Sequence, residues 1–471
     1  MRLTITALVG ISLTACMGGG GDVASASDAD ADKEEAVAVD RDPFPSTYVP
    51  RFSEPTLIMN ATVFDGVGGR IDGGAVYMVD GKIAMVGNAA SMSLPAGINT
   101  IDGSGLYVTP GIIDVHSHLG NYPSPGVPAV SDGNEATSPN TAEVWTEHSV
   151  WPQDPGFSRA LANGGITALQ ILPGSANLFG GRSVTLKNVP GRTVMDMKFP
   201  GAPYGLKMAC GENPKRVYGN RGRSPATRMG NIAVTREQWI AAKAYDEQWD
   251  KYEEEGGKMP SRDLTKDTLR GVLDGDILVH NHCYRADEMA IMLKLADEFG
   301  YKVTSFQHAV EAYKIPDLLA EAGTCSAMWA DWYGFKLESY DGIRENVAYV
   351  HNGGACAIVH SDDADGIQRL NQEAAKALAA GRRQGIEISD AEAWQWLSAN
   401  PAKSLGIFDQ TGSLESGKNA DVVLWNGDPY SVYTRPQMVW VDGALMYDAN
   451  DPNRRPVSDF ELGQPGEGDV K

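Results

Sequence analysis

Histidines recur at the ends of short apolar runs in the middle of this chain, and this pattern constrains the fold more than any other feature. Six of the eight histidines stand at such positions: His116, His118, His280, His282, His308 and His360. Histidines that only fill a core would instead be scattered through helices and loops. The pattern therefore predicts a set of strands whose ends meet at one polar site.

Strand-like runs alternate with helical segments from about residue 109 to residue 405. One helix is predicted at residues 286–299, where apolar residues recur at three- and four-residue steps before Gly300. Repetition of strand and helix over this length predicts an α/β fold, a (β/α)8 TIM barrel. In such barrels the active site lies at the carboxyl ends of the strands.

The run from Gly111 to Val115 ends in His116, Ser117 and His118. Residues two apart on a strand point the same way, so the two imidazoles converge at the carboxyl end of this strand. Neutral imidazoles on a rigid strand suit a divalent cation such as zinc. A single pair of this kind is weak evidence, and the recurrence of histidine at other strand ends carries the prediction of a metal site.

Two strand-rich segments, residues 55–108 and 406–455, flank the barrel region. The first contains a strong signal for a two-residue hairpin turn, Asp80-Gly81, between two apolar runs. A similar alternating pattern returns at residues 438–445. We expect the two segments to form one small β-sandwich domain assembled from both ends of the chain, followed by a flexible C-terminal tail at residues 456–471.

Residues 1–16 have the features of a secretory signal, with a basic start, a short apolar run and small residues before Cys16. The ending Leu13-Thr14-Ala15-Cys16 resembles a bacterial lipobox, which implies that Cys16 is lipidated. The alternative is an ordinary signal with an accidental cysteine. Residues 17–54 are expected to be a disordered tether. These features predict an exported, periplasmic or outer-membrane lipoprotein whose lipid is its sole membrane anchor.

The net charge limits the binding partners of the chain, and the cysteine spacing limits the roles of its cysteines. The formal net charge of −21 makes nucleic acid or an anionic membrane surface an unfavourable partner, which leaves a small-molecule substrate. A homo-oligomer is compatible with the sequence. The other cysteines lack the close paired spacing of a zinc knuckle or a disulfide framework, so we expect buried thiols: Cys210, Cys283, Cys325 and Cys356.

Three segments stand out in their order and distance along the chain: Val108-Thr109-Pro110-Gly111-Ile112-Ile113-Asp114-Val115-His116-Ser117-His118, Asn400-Pro401-Ala402-Lys403-Ser404-Leu405-Gly406 and Gly412-Ser413-Leu414-Glu415-Ser416-Gly417-Lys418-Asn419-Ala420-Asp421. Together they resemble the metal-dependent amidohydrolases, in particular the imidazolonepropionase-like and dipeptidase-like branch. The resemblance covers residues 57–447. It implies metal ligands on four barrel strands: His116 and His118 on the first, a histidine on each of the fifth and sixth, and an aspartate on the eighth, where His308 and Asp362 match the sixth and eighth.

Two further ligand positions each have two candidate residues in the sequence. For the fifth strand we prefer His282, because residues 282–287 resemble the family's stretch between that ligand and its helix, while His280 lies on the same face. Members with two metals carry a carbamylated lysine on the fourth strand, and Lys207 resembles that position, with Lys187 as the alternative. The cofactor is then one divalent ion, preferably zinc, or two ions if Lys207 is carbamylated.

The resemblance implies hydrolysis of an amide-type C–N bond in a cyclic amide or a dipeptide-like substrate. Asp362 is the candidate catalytic residue, which takes a proton from water and delivers it to the leaving nitrogen. Tyr284 and Arg285 are candidate substrate contacts, and Arg285 either holds a carboxylate as a bidentate fork or forms an ordinary surface ion pair. Trp329, Trp332 and Tyr333 either wall the pocket or only pack together.

Two other functions fit the same residues. A mononuclear site of the same fold would also suit a deaminase or a lactonase. A lipid-anchored protein could bind a ligand without catalysis, although binding alone needs no acidified water. Metal content per chain and a substrate panel would separate these functions. No catalytic role is expected for Asp363, and His148 and His351 are expected to be structural or surface residues.

Overall fold

Two β-sheets organise the computed structural model, which describes residues 42–91, 97–124 and 126–455. The strands are β1 Thr56–Phe64, β2 Arg70–Val79, β3 Lys82–Asn88, β4 Asn99–Asp102, β5 Tyr107–Pro110, β6 Ile112–Ser117, β7 Ile166–Ile171, β8 Phe179–Lys187, β9 Gly205–Ala209, β10 Leu278–Cys283, β11 Ser305–His308, β12 Cys325–Met328, β13 Cys356–Val359, β14 Val422–Trp425, β15 Pro436–Val441 and β16 Ala444–Asp448. The helices are α1 Pro155–Gly164, α2 Glu212–Gly219, α3 Arg228–Glu255, α4 Leu264–Leu273, α5 Ala286–Phe299, α6 Pro316–Ala322, α7 Asn346–Asn352, α8 Leu370–Arg383, α9 Asp390–Trp394 and α10 Ala399–Ser404.

Strands β6 to β13 pair in chain order and form a nearly closed eight-stranded barrel. The backbone N–H of Asp362, just after β13, donates to the carbonyl of His116 on β6 at 2.9 Å, so the two edges of the sheet meet. Every residue of β6, β7 and β9 is buried, as expected for barrel strands that are covered on both faces. The predicted α/β barrel architecture is confirmed.

Strict alternation of strand and helix fails once, at the third barrel strand. β8 runs antiparallel to both β7 and β9, while the other neighbouring pairs of the barrel are parallel. Only residues 172–178 connect β7 to β8. A parallel pair needs a crossover of about a dozen residues or more, so this short connection reverses the chain direction instead.

Helix α5 shows why the sequence pattern was informative. Its apolar side chains at Met289, Met292, Ala296 and Phe299 are buried, which is the face that the three- and four-residue spacing predicted. The helix ends at Gly300, whose φ of +81° lies in the left-handed region that glycine adopts without strain. The helix predicted at residues 286–299 is confirmed.

The second sheet combines strands from both ends of the chain, in the order β16-β15-β14-β5-β1-β2-β3, with β4 paired to β1. Its β2–β3 hairpin turns at Asp80 and Gly81, both with positive φ, as the sequence predicted. A sandwich needs two facing sheets. The described strands outside the barrel belong to this one sheet, so the sandwich is not confirmed, and the domain boundaries stay predictions.

Four cysteines form two disulfides, Cys210–Cys283 and Cys325–Cys356, so the expectation of buried thiols is wrong. Cys325 and Cys356 are direct register partners on the parallel strands β12 and β13. Cys210 follows β9, beside the end of β10 where Cys283 lies. The partners are 73 and 31 residues apart, and linear spacing does not reveal which strands become neighbours in a sheet.

Residues 42–51 lie against the folded domain, which corrects the predicted extent of the tether. The Thr47 N–H donates to the carbonyl of Met195 at 3.0 Å, and the Tyr48 hydroxyl donates to Asp442 at 2.6 Å. Polar contacts hold this stretch, and its composition gave no sign of them. The predicted signal with Cys16, the rest of the tether and the C-terminal tail lie outside the described residues. Among the described helices, none has both the length and the hydropathy to cross a bilayer.

Candidate metal centre

The six residues predicted as metal ligands line one cavity of about 480 Å³. They come from five barrel strands or from residues that follow them: His116 from β6 and His118 directly after it, Lys207 from β9, His282 from β10, His308 from β11, and Asp362 after β13. These strands are the first, fourth, fifth, sixth and eighth of the barrel. The barrel therefore gathers side chains that are up to 246 positions apart in the sequence, from 116 to 362, at a single site.

Asp362 is the centre of this cluster. Its Oδ1 lies 3.2 Å from His116 Nε2 and 3.1 Å from His118 Nε2, and its Oδ2 lies 3.9 Å from His308 Nδ1. Lys207 Nζ lies 3.5 Å from His116 Nε2. The rings of His282 and His308 are 4.6 Å apart between centroids, so the fifth ligand candidate adjoins the same group.

Two of these residues are held in strained backbone conformations. His308 has a φ of +73° and Asp362 a φ of +54°, a region that side chains other than glycine enter rarely. Such strain persists only where the surrounding structure determines it, and it concentrates at functional sites. Here it aims an imidazole from the last residue of β11 and a carboxylate from the loop after β13 into the cavity.

Burial sets the protonation of the cluster. It lowers the pKa of His116 to about 4, with a further contribution from the charge of Lys207. Burial also takes the pKa values of His282 and His308 well below their ordinary value. Burial would raise the pKa of Asp362, but His116, His118 and His308 outweigh it and hold that pKa well below its usual range. Neutral imidazoles beside an ionised carboxylate are the forms that bind a divalent metal.

The donor set fits a divalent cation. Among the described residues, the buried atoms His282 Nδ1 and His308 Nδ1 have no hydrogen-bond partner, which is costly unless another ligand satisfies them. His116 Nδ1 bonds Gln307 Oε1 at 3.0 Å, and His118 Nδ1 bonds the carbonyl of Leu172 at 2.8 Å. Such outer contacts fix the tautomer and leave each Nε2 facing the cavity, as in metal-binding histidines.

The structure separates the alternatives that the sequence left open. His282 lines the cavity, whereas the ring of His280 lies against Ser305, whose Oγ is 2.9 Å from Nδ1. Lys207 lines the cavity, whereas Lys187 pairs with Asp442 of β15–β16 at 2.8 Å. Position thus favours His282 and Lys207, and their roles as ligands remain predictions.

Only one of the two predicted substrate contacts lies at the cavity. Tyr284 lines the cavity, and its ring stacks 5.2 Å from that of His308. Arg285 is not brought to the cavity, since its guanidinium makes two 2.9 Å hydrogen bonds to Asp287, the surface ion pair that was the alternative. Successive residues point in different directions as the chain leaves β10, so only one of the two can face the site.

The aromatic residues after β12 lie near the stacked rings of Tyr284 and His308. Trp329 is buried and stacks 4.3 Å from the His308 ring, while its indole N–H donates to the carbonyl of Ser361 at 3.0 Å. Trp332 contacts Trp329 edge to face at 5.2 Å and is half exposed. Tyr333 is exposed and does not line the cavity.

Sequence reasoning placed His360 at a strand end without naming it as a ligand, and it missed several other residues around the cavity. His360 is buried, and its ring nitrogens lie close enough to those of His116 and His308 for one ion to contact all three. Its position two residues before Asp362 at the same strand end was a usable signal. Five further polar residues of the lining gave no sequence signal because they follow strands on loops and a short helix: Ser175, Glu212, Asn213, Arg216 and Lys336.

Comparison with known proteins shows which family the chain belongs to. The sequence profile of the amidohydrolase family matches residues 107–454. The chain belongs to the amidohydrolase family. Members of this family hydrolyse C–N bonds and generally depend on a divalent metal. This agrees with the hydrolase that the resemblance in the sequence implied.

Three relatives show how far the likeness extends. This amidohydrolase is 32% identical over 438 residues to amidohydrolase tasK of Hapsidospora irregularis, an alignment that covers 85% of this chain and 44% of that protein. It is 26% identical over 404 residues to the imidazolonepropionase of Mesorhizobium japonicum, covering 78% and 90%. The solved structure of an amidohydrolase from Thermotoga maritima matches with a TM-score of 0.77 and 34% identity, covering 83% of this chain and all of that one.

Proposed function

We propose that this amidohydrolase cleaves the amide-type C–N bond of a small cyclic amide or dipeptide-like substrate at a zinc-type divalent site. His116, His118, His282, His308 and Asp362 would hold the metal, and Lys207 would bridge two ions if carbamylated. The observation that supports this most is the convergence of neutral imidazoles and one ionised carboxylate in a single cavity at the strand ends.

The residues of the chain divide the reaction between them. A divalent cation bound here would supply Lewis acidity, which polarises a carbonyl and lowers the pKa of water. Asp362 accepts the proton of the attacking water and passes it to the leaving nitrogen, and its low pKa keeps it in the ionised form that can accept a proton. Tyr284 and Trp329 pack on His308 and exclude water from one side of its ring.

A metal analysis combined with a substrate panel tests this function. We expect the purified chain to contain zinc or a similar ion and to hydrolyse at least one lactam or dipeptide. His116→Ala should lose both metal and activity. His351→Ala is the matched control, because His351 only accepts a hydrogen bond from the Trp396 indole at 3.2 Å, away from the cavity.

The panel also contains lactones and amidines, so it distinguishes the neighbouring chemistries. Ammonia release from an amidine with no amide cleavage would make the chain a deaminase, and lactone cleavage alone would make it a lactonase. If no panel member reacts and His116→Ala leaves ligand binding intact, the chain is a binding protein and the hydrolase proposal fails.

We also propose that the protein is exported and anchored by a lipid on Cys16. Two disulfides support export, since such bonds persist mainly in oxidising compartments. In a bacterial host, Cys16→Ser is expected to move the protein from the membrane fraction to the soluble fraction, as measured by fractionation and immunoblotting. Cys325→Ser should leave the distribution of the folded protein unchanged. Membrane association that survives Cys16→Ser would contradict the anchor.

A further inference from the structure

The cavity carries cationic side chains that metal binding does not use. Apart from the candidate ligands, its charged lining residues are Glu212, Arg216 and Lys336, with a net charge of +1 from one acid and two bases. The whole chain has a formal net charge of −21, so the positive charge of these lining residues differs in sign from the charge of the chain as a whole. A bound divalent ion would add to the positive field, and the cavity therefore favours an anionic substrate.

Lys336 is the better placed of the two cations. Its side chain is only 17% exposed, its Nζ lies 4.0 Å from the centre of the Tyr284 ring, and it donates to Asn213 Oδ1 at 3.3 Å. The Asn213 amide in turn lies 3.4 Å from His282 Nε2. One side chain, that of Asn213, therefore separates Lys336 from His282 of the metal-ligand cluster.

Lys336 also keeps donor capacity for a ligand. An ammonium group has three N–H donors. The bond to Asn213 uses one, and Glu212 Oε1 forms an ion pair with Nζ at 3.7 Å, a distance longer than a hydrogen bond. Arg216, on the exposed last turn of α2, lines the same side of the cavity. The adjoining Phe335 is 56% exposed and also lines the cavity, so an apolar group beside the carboxylate would find a surface.

We propose that Lys336, assisted by Arg216, binds the carboxylate of the substrate, which is an amide of an apolar amino acid such as an N-acyl amino acid or a dipeptide. This rests on the hydrolase function proposed above and narrows its substrate class. It also replaces Arg285, the carboxylate contact that the sequence suggested, with a residue on the loop after β12. A carboxylate held at Lys336 directs the scissile amide toward His282 and Asp362.

Matched substrates that differ only in charge test the assignment. The probes are N-acetyl-L-leucine and its neutral amide, N-acetyl-L-leucinamide, with acetate release as the readout. Removing a hydrogen bond to a charged group is expected to lower kcat/KM for the acid by about 10- to 100-fold in Lys336→Met, mainly through KM. The neutral amide should change by less than about twofold. Lys336→Arg should keep most of the preference for the acid.

Lys294→Met is the control for removal of a lysine, because Lys294 lies on the exposed face of α5 beside Asp297. Its kcat/KM values for the acid and for the neutral amide should both stay at the wild-type level. Equal losses on the acid and the amide in Lys336→Met, or an unchanged preference for the acid, would overturn the proposal.

Binding separates this proposal from the proposed chemistry. Calorimetric titration of N-acetyl-L-leucine into Asp362→Asn, and into the double variant with Lys336→Met, measures the carboxylate contact without turnover. We expect the Kd to rise by about 10- to 100-fold in the double variant. An equal Kd in the two chains, or no binding to Asp362→Asn, overturns the role of Lys336. Absence of hydrolysis by the wild type together with the expected change in Kd would overturn only the hydrolase function.

Discussion

Asp362→Asn is expected to lower kcat/KM for the amide substrate by about 10²- to 10⁴-fold, the usual contribution of a general acid–base. Asparagine has nearly the same shape, so it keeps the packing after β13. It removes the negative charge that faces His116 and His118 at 3.2 and 3.1 Å, and it cannot accept the proton of water. The rate should fall through kcat, measured by steady-state kinetics beside metal content per chain.

Asp363→Asn is a closely matched control for this loss. The Asp363 carboxylate accepts the backbone N–H groups of Asp365 at 3.1 Å and Gly366 at 3.4 Å, so it caps the turn that follows the site. A change of less than about threefold in kcat/KM is expected, with little change in stability, because asparagine caps such a turn about as well as aspartate. Comparable rate losses in both variants would show that the segment matters for folding, and Asp362 would lose its assigned role.

The site could be predicted from sequence wherever the period-two rule applies. His116 lies on β6 and His118 directly follows the strand, and the convergence of side chains two residues apart follows from strand geometry alone. His308 is the last residue of β11, and barrel architecture brings it to the same face as Asp362. Buried strands are easy to recognise in a sequence because their apolar runs are continuous. The positions of their polar ends could therefore be located without any contact information.

The parts that sequence did not predict depend on contacts between segments distant in the chain. The Cys210–Cys283 and Cys325–Cys356 disulfides require knowledge of which strands are neighbours. The direction of β8 depends on the short loop before it, whose length is visible only once the strand bounds are known. Lys336 reaches the cavity from a loop without periodicity, where no sequence pattern fixes the direction of a side chain.

The choice between Lys207 and Lys187 illustrates the same limit, because both lysines lie in apolar strand-like runs. β8 is antiparallel, so its last residue, Lys187, lies at the opposite end of the barrel from the cavity and pairs with Asp442. A parallel β8 would have placed it at the mouth. Strand direction, which the sequence pattern did not show, therefore decides which lysine faces the histidines.

Lys207→Met is expected to reduce the metal content from two ions per chain to one and to lower kcat/KM by about 10²- to 10³-fold. Burial lowers the pKa of Lys207 to about 7, so much of its amine is uncharged near neutral pH. The uncharged amine is the form that can add carbon dioxide. Methionine has a similar length and suits a buried position, so the fold should persist. Elemental analysis measures the metal content, and steady-state kinetics measures the loss of kcat/KM.

Lys187→Met should produce the opposite pattern, and this contrast makes the prediction specific. It leaves the buried carboxylate of Asp442 without its 2.8 Å ion pair, and breaking such a pair costs about 3–5 kcal/mol. The variant should therefore unfold at a lower temperature while its folded form keeps the wild-type metal content. Lys207→Met should lose metal with little change in the stability of the metal-free protein, because an apolar side chain replaces a buried amine. One ion per wild-type chain, unchanged in Lys207→Met, would contradict the bridging role and leave the histidines and Asp362 as a mononuclear site.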